Sequence, residues 1–432
     1  MQNRTVAIFI VILLLLNISA YGQKSVNSPY ARFNLGNMGP GGSFRSLAMG
    51  GTGIAMRDNS SIYLYNPASY TSIDTASFLF DFGLDVSAYG LDDGTSEFFS
   101  ADANFNHLFM GFPLGRKLGL ALGVVPVSNG YYYLADNITA SDPRYDPMIG
   151  EIAYVHKGEG GLSGIFIGSG LRLTRNLSAG INMTIISGKI QRLNQFEFAD
   201  YISSFNQRET ENLRLFGINL DYGLQYYAPI GKSHFITMGA SYTATKHYNS
   251  KKEVINERFA IYTSPPYSPD TLSYYYNESK DSTIMPANYR FGISVGKKDK
   301  WTLEFDYIYT PWANGLIHGD NYNLGTTSTY RFGFEIIPDK YSNESFLKRM
   351  EYRMGAHYGD SYVVMNGYQI KQYGATAGFA IRMRNTLSKA TMYFDYTRRE
   401  GDLTRGLPNE NIYSLGLSLN FYDSWFIKKK FD

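Results

Sequence analysis

A two-residue rhythm runs from about residue 76 to the C-terminal end and limits what this chain can become. Trp301, Leu303, Phe305, Tyr307 and Tyr309 alternate with Thr302, Glu304, Asp306 and Ile308. A β-strand turns successive side chains to opposite faces, so this stretch has one aromatic-apolar face and one mostly polar face. The rhythm returns in 289–295, 330–336, 352–358 and 413–421. A soluble β-sandwich would also alternate, with an aliphatic inner face and a polar outer one. Here the polar phase instead carries Arg290, Glu304, Asp306, Arg331, Glu335, Arg353 and Arg382, and the opposite phase is rich in aromatics. Charges on a lipid-facing surface are costly, whereas those in a lumen can be solvated or paired. The pattern predicts an all-β, antiparallel transmembrane barrel with a polar interior.

Composition agrees. The chain has 432 residues, including 37 Tyr, 28 Phe, 3 Trp and 43 Gly. Tyr and Phe suit strands and membrane interfaces, and Gly suits turns and crowded walls. Mean hydropathy is −0.25, against a helical membrane protein. The 40 basic and 38 acidic residues leave a net charge of +2 and form no basic stripe, so no nucleic-acid partner is expected. There is no Cys, which excludes disulfides, thiol catalysis and Cys-ligated metals.

Residues 1–22 read as a signal peptide: Arg4, a short apolar run over 6–16, then Ala20-Tyr21-Gly22. Residues 23–75 lack a long alternating run and are rich in Gly, Ser and Asn. Alone, they read as a compact loop-rich element or as an ordinary loop before the first strand. From Ala76, strands are predicted at 76–90, 101–113, 117–132, 158–173, 177–198, 212–230, 233–250, 286–298, 300–311, 326–338, 347–360, 367–384, 388–400 and 411–423. That makes 14, an even number as bacterial barrels require. Short connections alternate with long ones at 91–100, 133–157, 199–211, 251–285, 312–325, 361–366 and 401–410. Short turns facing the periplasm and long loops facing outward place both termini in the periplasm and the barrel in the bacterial outer membrane, among its lipids.

Three segments carry a family resemblance. Residues 45–74 contain Gly50, Gly51, Gly53, Asp58-Asn59 and Asn66-Pro67-Ala68. Residues 286–292 read PANYRFG, and Trp301–Trp312 places Asp306-Tyr307 between two tryptophans. In this order they resemble the FadL family of outer-membrane transporters for long-chain fatty acids and other hydrophobic molecules. Residues 119–137 are similar to that family's third strand and exit loop, and Ser28-Pro29-Tyr30-Ala31-Arg32-Phe33 resembles the opening of Bacteroidota members. The resemblance implies a 14-stranded barrel over 76–432, plugged by a hatch at 23–75. It also implies an inward kink in the third strand that opens a lateral gap. Gly would permit the close approach a hatch needs, and Pro67 would restrict Asn66 to an extended or turn shape.

Pro126 falls mid-strand in the third segment, where the missing N–H argues for a kink or bulge; Ser128 and Gly130 complete this candidate gap. Arg290, Arg331, Arg353 and Arg382 could grip a carboxylate bidentately, or pair with Glu304, Asp306, Glu335 or Asp395. The Pro- and Tyr-rich stretch 251–285, with Tyr262, Pro265-Pro266-Tyr267, Pro269 and Tyr274-Tyr275-Tyr276, reads as an exposed loop that caps the lumen, meets a partner or simply moves. No metal or cofactor is expected. The six His residues form no HExxH, and Gly292–Gly296 matches GxSxG only within a strand, so Ser294 is not read as a nucleophile and His357 near Asp360 has no serine tied to it. The expected function is passive uptake of hydrophobic molecules such as fatty acids. The alternative is a non-transporting accessory barrel, partnered with other outer-membrane proteins in a secretion or barrel-assembly machine.

Overall fold

The computed structural model describes residues 28–39, 41–94, 97–198, 205–259, 269–321, 323–342, 344–383 and 387–424. The expected signal peptide lies outside them, as do Tyr262 and Pro265-Pro266-Tyr267.

Fourteen antiparallel strands close into a barrel. They are β1 (Ser77–Asp92), β2 (Glu97–Pro113), β3 (Leu118–Asn129, continuing as Tyr132–Ile138), β4 (Ile152–Arg172), β5 (Leu177–Phe198) and β6 (Asn206–Ile230). Next come β7 (His234–Thr243, continuing as Lys246–Phe259), β8 (Asp270–Met285, continuing as Asn288–Lys297), β9 (Trp301–Thr310) and β10 (Thr327–Ile336). The last are β11 (Glu351–Met365), β12 (Tyr368–Arg382), β13 (Lys389–Glu400) and β14 (Asn409–Ser424). The ring closes where β14 pairs with β1, from Asn409↔Asp92 to Ser424↔Ser77.

The two-residue rhythm sets the radial arrangement. On β9, Phe305 is exposed while Glu304, Asp306, Ile308 and Thr310 are buried. Exposed Ile165, Ile167, Phe216, Ile218, Phe291, Ile293, Phe332 and Leu415 continue the apolar outer surface around the ring. Register places Tyr222, Tyr242, Tyr289 and Tyr309 side by side across four strands. Tyr307, Tyr330, Tyr358 and Tyr373 do the same from β9, which the two rows share, to β12. An apolar belt bounded by an aromatic girdle is the outer face of a transmembrane barrel. No helix among the described residues is long and apolar enough to cross a membrane.

Strand length corrects one sequence expectation. The stretches 133–157, 199–211 and 251–285 read as loops. Yet β3 resumes at Tyr132, β4 starts at Ile152, β6 starts at Asn206, β7 runs to Phe259 and β8 begins at Asp270. A membrane-crossing strand needs about 9–11 residues, whereas β6 has 25. The excess of β4 to β8 forms a sheet projecting beyond the apolar belt. Its outer positions are polar rather than aliphatic, which is why their alternation was hard to see.

The described residues of 28–74 contain only short elements: 3₁₀ turns at Pro29–Arg32 and Pro67–Ser72, one helical turn at Phe44–Leu47, and a two-residue strand at Asn37–Met38. Leu35, Phe44, Ala48, Met49, Ile54, Ala55 and Ala68 are fully buried. Hydrogen bonds tie the segment to β3, β5, β6, β9, β10 and β12.

Candidate functional site

Inward carboxylates hold the N-terminal segment by its backbone. Asp306 accepts hydrogen bonds from the Gly53 and Ile54 amides at 2.8 and 3.2 Å, and Glu304 accepts from the Ala55 amide at 2.8 Å. From β6, the Gln225 amide donates to the carbonyls of Ile54 and Met56 at 2.9 and 3.1 Å. Asn66 donates to the Ile54 and Leu224 carbonyls, while its Oδ1 accepts from the Ala68 amide and caps the 3₁₀ turn that Pro67 begins. These bonds satisfy backbone groups that a coil segment would otherwise bury unpaired. Gly50 shows how close the approach is. Its φ is +72°, and a Cβ there would stand 2.6 Å from the carbonyl oxygens of both Ala356 and Phe332.

A second anchor is a chain of buried alternating charges. Arg45 bridges Asp58 and Glu335, both at 2.7 Å. Glu335 accepts from Arg353 Nε at 2.7 Å, and Arg353 also reaches Glu351. Glu351 in turn accepts from Arg382 Nε at 2.8 Å and lies 3.0 Å from Lys389 Nζ. Three carboxylates and four cations thus join the N-terminal segment to β10, β11, β12 and β13. Asn59 donates to Asp74 at 2.6 Å. Buried charges persist only when paired in this way.

The charge pairings differ from those expected. Glu304 and Asp306 face backbone amides rather than arginines. Arg290 lies 3.4 Å from Asp221, Arg331 donates to the Gly51 carbonyl at 2.6 Å, and Arg382 pairs with Glu351. Only Arg353 meets a carboxylate named in advance, Glu335. Sequence reasoning missed Arg45, Glu351, Lys389, Gln225 and Asp221. The inward phase shared by Glu351 and Arg353 was a usable signal; Arg45, in a single helical turn too short for a periodicity to show, offered none.

The third strand breaks where its proline sits. β3 pairs with β2 only from Pro113↔Gly119 to Leu108↔Val124. Beyond Val124 it stays paired to β4, with a bulge between Pro126 and Ser128. A second bulge, at Asn106 of β2, lies just past the last β2–β3 pair. The edge that β3 withdraws from β2 is taken by the N-terminal segment. Asn37 and Met38 pair with Asn129 and Ser128, and the Gly39 amide donates to the Val127 carbonyl at 2.9 Å. Ser128 Oγ accepts from the Leu162 amide, and the Gly130 amide donates to the Gly160 carbonyl.

Between this broken strand and the opposite wall lies a cavity of about 570 Å³. Asn104, Phe105 and Asn106 form one lip and residues 125–129 the other. Its far wall presents Asp221, Arg290, Arg331, His357, Asp395 and Arg399. Tyr65 reaches in from the N-terminal segment, with the Arg290 and Arg331 guanidiniums 5.7 and 5.3 Å from its ring centre. Apolar side chains, among them Leu64, Val125, Ile186, Ile308 and Trp312, make up most of the lining and share this chamber with charges of both signs. His357 Nε2 lies 3.0 Å from Thr397 Oγ1, and Ser294 is buried inside β8, not on a strand-to-helix elbow.

Solved structures share this fold. The toluene transporter TodX of Pseudomonas putida matches with a TM-score of 0.59 at 14% identity, over 91% of this chain and 100% of that one. The monoaromatic hydrocarbon channel CymD gives 0.56 at 15% identity, over 90% and 99%. A Pseudomonas aeruginosa FadL homologue gives 0.56 at 11% identity, over 90% and 99%. At these identities the likeness is one of fold. No curated protein matches the sequence. The BamG family model, by contrast, matches residues 4–432, almost the full length. The chain belongs to the BamG family.

Proposed function

We propose that this protein is an outer-membrane barrel of FadL-like architecture that serves as a non-transporting accessory subunit of a larger protein-assembly or secretion machine. In this reading residues 28–74 are a fixed plug, and both termini lie on the periplasmic side with the short turns. The observation that carries the reading is the double anchoring of that segment. The backbone amides of Gly53, Ile54 and Ala55 seated on Asp306 and Glu304, and the Arg45–Glu335 ion pair, all cross from plug to barrel and would have to break for the plug to move, while Asp58 on one side and Arg353 on the other hold the two partners of that pair in place. Residues 37–39 also stopper the edge of β3 where a lateral gap would begin. Membership of the BamG family over residues 4–432 supports this reading, and the likeness to the hydrocarbon channels is one of fold. Fold alone does not fix function.

A second reading, passive uptake of hydrophobic molecules such as long-chain fatty acids, is favoured by the cavity that reaches both lips of the β2–β3 parting. Against it, ligand chambers for such molecules are lined mostly by apolar side chains with few polar groups. Here the lining is mostly apolar too, but Asp221, Arg290, Arg331, His357, Asp395 and Arg399 also face the space, which is more than a few polar groups.

Mild-detergent purification from the native outer membrane, paired with an uptake assay on a deletion strain, separates the two. The accessory reading expects a stable large complex, no retained lipid and normal uptake. A monomer that carries fatty acid, with uptake lost on deletion, would sink it.

A further inference from the structure

The projecting sheet ends in an uncapped strand. The first half of β8 pairs on one side with β7, from Lys246↔Met285 to Arg258↔Asp270. Its other edge is occupied only at the base. There the Ile284 amide donates to the Leu316 carbonyl at 2.8 Å and the Leu316 amide to the Ile284 carbonyl at 3.1 Å. One step higher, the Gly319 amide donates to the Ser282 carbonyl at 2.7 Å. Above Ser282, among the described residues, nothing pairs with that edge over 270–281.

Native sheets guard such edges with proline, with outward charge or with a covering element. This one has no proline over 270–281. Of its four charged residues, Asp270 pairs with Arg258 and Glu278 with Lys251 within the sheet, and exposed Lys280 and Asp281 sit together at the bulge at its base. Aromatic side chains stand in the open instead. Leu272, Tyr274, Tyr275 and Tyr276 are 52%, 59%, 51% and 49% exposed. The tyrosines are oriented: Tyr274 donates to Glu253 and Tyr276 to Glu278, while Tyr275 accepts from Asn277. Tyrosine is enriched at protein interfaces because it offers a large apolar face with a polar tip at low entropic cost.

We propose that residues 270–279 are a docking edge on which an extended segment of another outer-membrane-associated protein adds as a further strand. A row of unmatched backbone donors and acceptors at strand spacing is complementary to an extended polypeptide. Leu316 and Gly319 occupy this edge below a bulge, where the register with β7 shifts between Tyr248 and Ser250 and Asp281 has φ +57°, so the regular open edge begins at Ser279 and runs to Asp270. The inference rests on the accessory reading and names the surface that reading requires.

The test places a photocrosslinking side chain at Tyr275 of the full-length chain in its native outer membrane, with a control at exposed Tyr341. The expected result is an adduct from Tyr275, but not from Tyr341, with one other protein, mapping to a single contiguous segment of it. The double variant Tyr274→Lys/Tyr276→Lys should cut that adduct about tenfold while the barrel keeps its heat-modifiable mobility on gels. Adducts only with lipopolysaccharide, only with a second copy of this chain, or at equal yield in the double variant would each overturn the docking edge. Native gels keep the two claims apart. A large complex without a Tyr275 adduct defeats this surface but leaves the accessory role standing; a lone chain defeats both.

Discussion

Asp306 shows what an inward carboxylate does in this barrel. Its position in the polar phase of β9 was legible from the alternation alone, but its partner was not. The partner is two main-chain amides some 250 residues earlier, and backbone donors leave no trace in composition. Asp306→Ala leaves both amides buried and unmatched, a cost of about 1–3 kcal/mol for each group. Residues 51–56 should then become sensitive to protease in the folded barrel, readable by limited proteolysis and mass mapping. Glu351 is a stronger case, because Arg353, Arg382 and Lys389 converge on it. Glu351→Ala leaves buried cations without a counter-charge and should destabilise the barrel by about 3–5 kcal/mol, seen as a lowered heat-modification midpoint. Asp58 adds a pH dependence. Burial alone would lift its carboxyl, but the Arg45 guanidinium, the Lys389 ammonium and the Ser60 hydroxyl outweigh this and hold it well below the ordinary value. A depressed folded value means the stabilisation is complete above about pH 4 and is lost as pH falls through the folded value. Protease protection of the N-terminal segment should therefore decline on acidification below about pH 4, and Asp58→Asn should flatten that decline.

At the scale of elements, the informative strand is β3. A proline in mid-strand predicts distortion because it has no N–H to give the ladder, and the bulge beside Pro126 is where that expectation places it. What takes the abandoned edge was not legible. Asn37–Met38 is only two residues long, too short for any periodicity to show. The long outer hairpins were hidden for a different reason: above the membrane neither face of a strand must be apolar, so the rhythm fades while the ladder continues. Gly36 gives a handle on the capped edge. Its φ is +80°, and a Cβ there would lie 2.4 Å from the Asn129 carbonyl oxygen. Gly36→Val should therefore push residues 37–39 off β3 while the fourteen-stranded ring stays closed. If these residues stopper the β2–β3 parting, outer-membrane vesicles bearing the variant should take up a hydrophobic fluorescent probe faster than vesicles bearing the parent. Equal rates in a folded variant would show that the parting is shut by something other than this strand.

For the whole molecule, the contacts between the ring and its N-terminal segment predict that the two behave as one energetic unit. The strand count and the inward charges could be read from the chain; the interdependence of barrel and N-terminal segment could not, because it lives in pairs far apart in sequence. Without residues 28–74 the barrel would keep Glu304, Asp306, Glu335 and Glu351 facing inward, and Arg353 and Lys389 would lie in a lumen suddenly open to water. Solvation would relieve part of the desolvation cost. The contacts made by Phe44, Met49, Ile54 and Tyr70 would have no replacement, and loss of a large buried apolar side chain costs about 2–5 kcal/mol. A plug that merely visited the lumen would melt on its own, below the barrel. The anchors described above predict the opposite: a single transition in which protease protection of 28–74 and heat-modifiable mobility are lost together. A variant lacking 28–74 should either fail to reach the heat-modifiable form or lose it at a much lower temperature. Two separated transitions in the intact chain would show that the plug is a detachable gate. The double anchoring could then no longer argue for an accessory role over passage through the barrel.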